Sequence, residues 1–371
     1  MRILFLSAAS NIHTVRWVNA LAGRGHDVHL AYNADHVPAM DQINKEVQLH
    51  QLKYSGLLGY YLNAVQLARL CKKINPDVIN CHYASGYGTL SRMAKLKPLI
   101  LSVWGSDVYD FPYEGKWKMR ILQKNICYAN KIASTSYSMA KQVEKVMERN
   151  MNITITPFGV DTNLFKPVDI QKEPFVFGTV KTLSEKYGIE YIIRGFKILL
   201  DRIEEEGFRD CPVLEIYGKG DLEEELINLC KELNLADKVF FKGYIPNNEV
   251  PQAINRMDVF CVGSVNESES FGVAAVEAMA CEVPVIATDV SGFKEVMIHG
   301  ETGYLVPKKN AAAIGEKMYE LMLDEKLRKR FGRNGRKRVL ECYAWKQNVT
   351  LMEELYHTMW TDRKMSNKYA N

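Results

Sequence analysis

The chain has 371 residues, a length that predicts two domains more readily than one. Its composition, with 47% hydrophobic and 25% charged residues, excludes disordered, collagen-like and disulfide-stapled classes. Charge is distributed unevenly: residues 1–165 contain 19 Lys and Arg against 11 Asp and Glu, whereas residues 166–371 contain 29 against 33. The first half is therefore suited to an anionic partner, and the second half is not.

Short apolar runs bounded by turn residues alternate with amphipathic stretches along the whole chain. Such alternation predicts parallel sheets covered by helices. In the first half the predicted strands are 2–7, 27–32, 78–82, 99–104, 131–135 and 153–156, and the predicted helices are 14–23, 60–74, 118–129 and 137–148. In the second half the predicted strands are 175–180, 213–217, 238–242, 258–262, 284–288 and 303–306, and the predicted helices are 189–204, 222–233 and 310–323.

A turn-rich segment between residues 157 and 174 separates the two series and has the composition of a linker. Two further helices are predicted at 326–342 and 345–360. We therefore expect an α/β protein with Rossmann-like domains at 1–165 and 166–345. A terminal helix at 346–371 then either caps the second domain or crosses back to the first.

Neither a membrane span nor a metal centre is indicated. No run of 18 apolar residues is present, and the opening Ile3–Leu6 run is too short for a signal peptide. The eight cysteines form no CxxC pair and no cluster with the eight histidines, which is typical of reduced core thiols in a cytosolic protein.

Two carboxylates eight residues apart, Glu269 and Glu277, straddle a predicted loop-to-helix junction. We expect Glu269 near the helix cap and Glu277 about two turns inside the helix. The amides around Ser270 and Gly272 are then accessible to an anion such as a diphosphate, which the positive end of the helix attracts. A carboxylate further along the helix can accept hydrogen bonds from sugar hydroxyls. The alternative is a pair of solvated surface charges.

Two lysines, Lys181 and Lys186, follow the predicted strand 175–180. Both can converge on a diphosphate and offset the negative charge of a leaving group, although two solvated lysines would give the same pattern. Gly218 begins a Gly-Lys-Gly turn after another strand, which permits either close approach of a ligand or only a tight turn. Because Glu223 replaces the third glycine of a dinucleotide fingerprint, nicotinamide binding is weakly supported.

Polar or aromatic residues also end two predicted strands of the first half. His82 ends strand 78–82, and Trp104 and Asp107 close the strand at 99–104, where open α/β sheets bind their ligands. A buried core histidine and a helix cap are the alternative interpretations of His82 and Asp107. The loop after the first strand adds three candidates for acceptor binding: Ser10, Asn11 and His13.

The order and spacing of these motifs resemble the signature of retaining glycosyltransferases of family 4, the group 1 glycosyl transferases. The resemblance rests on the run Glu269–Pro307 with its E-x7-E spacing, and it extends to Gly159–Asp161 and Tyr343–Trp345. It implies the GT-B fold, in which two Rossmann-like domains face a central cleft. The first domain would bind the acceptor and the second a nucleotide-diphospho-sugar.

The resemblance also implies roles for individual residues. Lys181 and Lys186 would grip the donor diphosphate, Glu269 the sugar hydroxyls and Glu277 the ribose, while His82 would lie over the transferred sugar. Other donor-binding positions implied by the resemblance are Gly218, Gly243, Tyr244, Ser270, Phe271, Gly272 and Val273.

Two positions depart from the family pattern. Lys181 stands where an arginine is usual, which keeps the charge and gives up bidentate geometry. Asn80 stands where a second histidine is frequent. The chain has no DxD motif, so we expect neither a metal ion nor a cofactor.

Aromatic and aliphatic residues are interleaved with basic ones at 54–73 and 109–120. This pattern suits the headgroup level of an anionic membrane, although an amphipathic core helix also explains it. No nucleic-acid-binding module is present. We expect a cytoplasmic protein, peripheral at the inner face of the plasma membrane.

The predicted activity is metal-independent, retaining transfer of a hexosyl group from a UDP-sugar, or second from GDP-mannose, to a glycan or lipid-linked acceptor in cell-surface polysaccharide synthesis. A nucleotide-sugar epimerase or a phosphorylase on the same fold remains an alternative. A nicotinamide-dependent oxidoreductase and a non-catalytic carbohydrate-binding module are more distant ones.

Overall fold

The computed structural model of the protein describes residues 1–39, 42–170, 173–208 and 211–369. Its contacts divide the chain into two compact units. The first unit comprises Met1–Phe158 and the segment from Lys346 onward, and the second comprises Gly159–Trp345. The main segment of the first unit thus ends at residue 158, whereas the sequence predicted a domain boundary at residue 165. The terminal segment belongs to the first unit.

The first unit contains a parallel sheet with strand order β3-β2-β1-β4-β5-β6-β7 in the described residues. The strands are β1 (Arg2–Leu6), β2 (Asp27–Tyr32), β3 (Gln48–Gln51), β4 (Val78–His82), β5 (Leu99–Val103), β6 (Lys131–Ser134) and β7 (Ile153–Ile155). The helices are α1 (Ile12–Ala22), α2 (Gly56–Leu62), α3 (Ala64–Ile74), α4 (Gly86–Met93), α5 (Ser106–Tyr109), α6 (Lys116–Tyr128) and α7 (Tyr137–Met147).

Two features of this sheet region differ from the prediction. Strand β3 was missed because it is a polar edge strand, which has no buried face to impose an apolar pattern. The predicted helix 60–74 begins earlier, at Gly56, and is divided at Asn63. Asn63 is fully buried, and its side chain hydrogen-bonds the backbone of Tyr54 and the side chain of Asn33.

The second unit contains a parallel sheet with strand order β10-β9-β8-β11-β12-β13 in the described residues. The strands are β8 (Val176–Val180), β9 (Val213–Tyr217), β10 (Val239–Gly243), β11 (Val259–Val262), β12 (Val285–Thr288) and β13 (Gly303–Val306). The helices are α8 (Ile189–Glu205), α9 (Glu223–Glu232), α10 (Val250–Asn255), α11 (Val273–Ala280), α12 (Ser291–Val296), α13 (Ala311–Leu323) and α14 (Glu325–Cys342).

The last helix, α15 (Trp345–Tyr369), packs within the first unit. Tyr356 is fully buried, and its hydroxyl accepts a hydrogen bond of 2.7 Å from Asn80 Nδ2 on β4. Glu353 pairs with Arg24 and lies 2.9 Å from His26 Nε2. None of the described helices is both long enough and apolar enough to cross a bilayer.

Candidate active site

Neighbouring strands β8 and β11 bring a lysine and a glutamate together in the second unit. Lys181 follows β8, and its Nζ lies 2.8 Å from Oε2 of Glu269, which also accepts a hydrogen bond of 3.3 Å from Ser264 Oγ. The two charged side chains are only 13% and 9% exposed. Burial disfavours the Lys181 ammonium, but the charge and hydrogen bond of Glu269, together with the charges of Tyr187 and Glu277, outweigh burial and raise the pKa of Lys181. Lys181 is therefore a cation at neutral pH.

The second lysine predicted to bind the diphosphate lies beside the same segment. Lys186 Nζ donates a hydrogen bond of 3.2 Å to the Ser268 carbonyl. The two ammonium groups flank one ring, with Lys181 Nζ 4.5 Å and Lys186 Nζ 5.5 Å from the Tyr187 centroid. The structure thus places both lysines beside the segment that carries Glu269, and their binding of a diphosphate stays a prediction.

A close contact at Gly188 positions the segment 181–188, which carries both lysines and is here called the lysine loop. Gly188 has a φ of +55°, and a Cβ atom there would lie 2.2 Å from the Gly263 carbonyl oxygen at the end of β11. The Val265 amide adds a hydrogen bond of 2.9 Å to the Lys186 carbonyl. Only glycine tolerates both the backbone conformation and the close approach.

Glu277 lies nearer the helix start than the sequence indicated. Helix α11 begins at Val273, so Glu277 is its fifth residue, little more than one turn inside, and the predicted two turns were too deep. The cap position is held by Gly272, with a φ of +80°, so Glu269 lies in the preceding loop and not at the cap. The Glu277 charge also raises the pKa of Lys181, which places this carboxylate in the same electrostatic neighbourhood.

The loop between these carboxylates is closely packed against neighbouring residues. Ser270 and Phe271 are buried, and the Phe271 ring meets Tyr343 edge to face at 5.5 Å. A Cβ at Gly272 would lie 2.6 Å from the Phe293 ring, and a Cβ at Gly292 would lie 2.2 Å from the Glu269 carbonyl oxygen. Val273 is half-buried and starts α11.

The predicted donor-loop glycine Gly218 supports the lysine loop. Its φ is +139°, and a Cβ there would lie 1.9 Å from the Lys181 carbonyl oxygen. Its amide donates a hydrogen bond of 2.8 Å to the Gly243 carbonyl. Close packing against the Lys181 carbonyl is thus sufficient to explain a glycine at position 218. Tyr244, which follows Gly243, is 71% exposed and accessible to a ligand.

In the first unit, His82 is enclosed by aromatic rings. It is fully buried, with ring centroids 4.2 Å from Trp104 and 5.2 Å from Phe5. Its Nδ1 lies 3.2 Å from Ser7 Oγ, whereas Nε2 has no hydrogen-bond partner in the part of the chain that the structure describes. Burial, reinforced by the charge of His13, lowers the pKa of His82 to about 3. The imidazole is therefore neutral, and Trp104 covers it.

Asp107 has the geometry of a backbone cap. Its Oδ1 accepts hydrogen bonds from the Trp104 and Gly105 amides at 3.1 and 2.8 Å, and its Oδ2 accepts one from the Ala84 amide at 2.8 Å. The carboxyl is 1% exposed, and burial raises its pKa despite these bonds. These contacts give the carboxyl group a structural role, because it holds the loop that carries Trp104, and acceptor binding by Asp107 stays a prediction.

The remaining acceptor candidates lie at the start of α1. Asn11 caps this helix by accepting a hydrogen bond from the His13 amide, and its Nδ2 donates to the Tyr83 hydroxyl at 3.3 Å. The His13 ring stacks on Phe158 at 4.1 Å, and Ser10 is exposed. Burial, followed by the charge of Arg16, lowers the pKa of His13 to about 3.

Sequence reasoning missed two polar residues beside Glu269. Glu267 accepts hydrogen bonds from the amide and hydroxyl of Ser291, at 2.9 and 2.5 Å, and pairs with Lys308 at 2.6 Å. Ser268 Oγ is buried without a partner within the described residues. Both belong to the Glu-Ser-Glu-Ser run. Its alternation of carboxylates and hydroxyls is the sequence pattern that could have identified them as site residues. The described residues include no group of three or more His, Cys, Asp or Glu arranged to hold a metal ion.

Two family models match successive parts of the chain. Residues 2–136 match the glycosyl transferase 4-like model, and residues 160–338 match the model of glycosyl transferases group 1. The chain belongs to the group 1 glycosyltransferases. The family resemblance, the GT-B fold class and the transferase activity predicted from the sequence are thereby confirmed.

Individual relatives of this glycosyltransferase span most of its length. It is 23% identical to N-acetyl-alpha-D-glucosaminyl L-malate synthase of Bacillus anthracis, over 93% of the chain and 92% of the relative. It is 30% identical to the capsular polysaccharide biosynthesis glycosyltransferase CapM of Staphylococcus aureus, over 65% of the chain and 59% of the relative. The crystal structure of Anabaena HepE in complex with UDP and glucose shares the fold, with a TM-score of 0.74 and 17% identity, over 96% of this chain and 100% of that one.

Proposed function

We propose that this glycosyltransferase moves a hexosyl group from a nucleotide-diphospho-sugar to a glycan or lipid-linked acceptor, with retention of anomeric configuration. The observation that carries the proposal is the convergence of Lys181, Lys186, Glu269 and Glu277 in the second unit. A UDP-sugar is the first candidate donor and GDP-mannose the second. The relation to HepE, solved with UDP and glucose, supports the first choice.

The two lysines supply the charge that the chemistry needs. As the bond between the anomeric carbon and the phosphate oxygen breaks, negative charge grows on the leaving diphosphate, and the ammonium groups of Lys181 and Lys186 stabilise it. The acceptor oxygen attacks from the same face and passes its proton to that phosphate. Because the lysines take the place of a cation, we propose that transfer needs no metal ion.

The carboxylates and the histidine have complementary roles in this proposal. Glu269 accepts hydrogen bonds from hydroxyls of the donor sugar, and Glu277 accepts them from the ribose. His82 stays neutral in the physiological pH range because of its burial, so it adds no positive charge beside a sugar that becomes cationic.

We further propose that the acceptor belongs to polysaccharide synthesis and that the enzyme works in the cytoplasm at the inner face of the membrane. The name of CapM, a capsular polysaccharide glycosyltransferase, supports the acceptor class. The surplus of basic residues in the first unit supports an anionic surface, because the donor lysines lie in the net-negative half of the chain.

A ligand screen followed by kinetics tests the proposal. UDP, GDP and ADP are compared by thermal shift, and the matching sugar nucleotides are then assayed for transfer and hydrolysis. We expect Lys186→Ala and Glu269→Ala to lose at least about 100-fold in kcat/KM, while Lys329→Ala, an exposed lysine of the same unit, keeps full activity. Wild-type kcat/KM in both site variants would contradict the assignment.

Product analysis separates the alternatives. An epimerase converts the sugar nucleotide without an acceptor, and a phosphorylase consumes inorganic phosphate, whereas the proposed enzyme needs an acceptor. NMR of the product reports the anomeric configuration, and an inverted product would refute retention. Activity that EDTA abolishes and Mg²⁺ restores would refute metal independence.

A further inference from the structure

Helix α2 and the start of α3 expose an apolar patch. Leu57, Leu58, Leu62 and Val65 are 82%, 69%, 51% and 62% exposed. Single exposed leucines are ordinary on a protein surface, but four large aliphatic side chains within nine residues form a patch that needs an explanation.

The patch continues into basic residues along one helical face. Leu58, Leu62, Val65, Arg69 and Lys72 are spaced by four, three, four and three residues, which places them in one stripe if the two helices are nearly continuous. An apolar end and a cationic end thus share one face.

The backbone through Asn63 provides this continuity. Asn63 has helical dihedral angles, with φ −75° and ψ −4°. Its amide donates to the Gly59 carbonyl at 3.2 Å, and its carbonyl accepts from the Leu67 amide at 2.9 Å. Hydrogen bonds of the i to i−4 type therefore join Asn63 to both helices, although the two are separate elements.

The opposite side of the helix pair is firmly anchored. The buried Asn63 side chain hydrogen-bonds Tyr54 and Asn33, and the Tyr60 ring packs edge to face on Tyr87 at 5.2 Å. The leucines are thus presented by a well-packed element and not by a frayed chain end.

The segment that carries the patch has charges of one sign, although the Asp35 carboxylate from elsewhere in the chain accepts a hydrogen bond of 3.0 Å from the Gly56 amide at the start of α2. The 30 residues from Val47 to Pro76 contain four Lys and Arg and no Asp or Glu. Next to the stripe, Met93 and Lys95 of the neighbouring segment line a depression of about 240 Å³ together with Val65, Arg69 and Lys72. Aliphatic side chains beside a cationic rim match the acyl boundary and the phosphate level of an anionic lipid surface.

We propose that this surface, the α2–α3 face, binds an anionic phospholipid bilayer. It is formed by Leu57, Leu58, Leu62, Val65, Arg69, Lys72 and Lys95. The α2–α3 face would provide the membrane contact of the peripheral location proposed above. The choice of a lipid-linked acceptor rests on the proposed function.

The position of the face agrees with such an acceptor. The Tyr60 ring lies against Gly86, four residues after His82 at the end of β4. Docking through α2 therefore holds the acceptor-binding unit at the headgroups, where a lipid-linked sugar is presented.

Vesicle co-sedimentation of the full chain tests the proposal. Wild type is expected to bind vesicles of phosphatidylcholine and phosphatidylglycerol, and to bind phosphatidylcholine alone much more weakly. Leu57→Asp/Leu58→Asp should bind at least about tenfold more weakly, and Arg69→Gln/Lys72→Gln should lose the preference for anionic lipid. Leu340→Asp, a substitution at an exposed leucine of the second unit, should bind like wild type.

Three results would overturn the proposal: no vesicle binding by wild type, equal binding to both lipid mixtures, or wild-type binding by Leu57→Asp/Leu58→Asp. A wild-type dimer that this double variant dissociates, without vesicle binding, would show a protein interface instead. Thermal shifts with UDP, GDP and ADP separate the two proposals, because the donor residues lie in the other unit. Vesicle binding without any nucleotide response would refute the donor site and leave the α2–α3 face intact.

Discussion

Lys181 and Glu269 form a buried ion pair with 2.8 Å between Nζ and Oε2, although 88 residues separate them in sequence. Adjacent strands β8 and β11 create this pair, and Lys186 and Glu277 lie in its electrostatic neighbourhood. In the proposed function, a diphosphate bound to both ammonium groups shares Lys181 with Glu269, so diphosphate binding and the proposed sugar contact of Glu269 would be coupled through one side chain.

Removal of Lys181 should therefore affect stability as well as activity. Lys181→Met leaves the Glu269 carboxylate buried without its counter-ion, and the free energy of unfolding should fall by about 3–5 kcal/mol. Lys181→Arg keeps the charge and should retain most of the stability. Urea unfolding measures both, with the exposed-pair variant Lys197→Met as the control. A Lys181→Met protein as stable as wild type would mean that the pair is not formed in solution.

Glu267 should stabilise the site loop only while it is ionised. Burial raises its pKa, but the hydrogen bonds from Lys308 and Ser291 prevail and lower it to about 2. Because the folded pKa is below the unfolded value, the contribution is present above about pH 4.5 and is lost as pH falls towards 2. Glu267→Gln should lower the free energy of unfolding by about 1 kcal/mol at pH 7, since the side chain is partly exposed. The difference should disappear near pH 2, and a difference independent of pH would refute the charge-based explanation.

His82 should also lose its contribution to stability as pH falls, but over a milder range of acidity than Glu267. Its pKa is about 3 in the folded protein, so between pH 6.5 and 3 only the unfolded chain takes up the proton at this site. Protonation of His82 in the unfolded chain therefore destabilises the wild-type protein over that range. The His82→Asn protein has no such loss of stability. The stability gap between the two proteins should narrow as pH falls from 6.5 towards 3. A constant gap in thermal or urea unfolding would show that His82 titrates normally.

The hydrogen bond between Asn80 and Tyr356 should anchor α15 in the first unit. Tyr356→Phe leaves the buried Asn80 Nδ2 without this 2.7 Å partner, which should cost about 1–3 kcal/mol. His357→Ala, at the adjacent exposed position, should cost far less. Equal effects of the two substitutions on the urea midpoint would show that the hydrogen bond is unimportant.

The sequence predicted the sheet strands well where they are buried. Runs such as Val78–His82 and Val285–Thr288 are buried throughout, so their apolar character marks them directly. The edge strand Gln48–Gln51 has no such constraint and was missed. The break at Asn63 was also missed, because it depends on a buried hydrogen-bond network with residues about 10 and 30 positions away.

The sequence named candidate site residues but not the partners of their side chains. It predicted that Lys181 and Lys186 converge on a diphosphate, and the family resemblance implied donor contacts for Glu269 and Glu277; these roles stay predictions. The ion pair of Lys181 with Glu269 and the capping bonds of Asp107 follow from tertiary packing, which the sequence does not encode as a local pattern. The same reason explains why a packing role for Gly218 against Lys181 became evident only in the structure.

The central claim is that the second unit binds a nucleoside diphosphate through Lys186 and Glu277. Thermal shift with UDP, GDP and ADP tests it most directly when wild type is compared with Lys186→Ala, Glu277→Ala and the control Lys329→Ala. We predict that at least one diphosphate raises the Tm of wild type and of the control, and that neither site variant responds at the same concentration. No rise with any of the three diphosphates in wild type, or an undiminished rise in both site variants, would contradict the account.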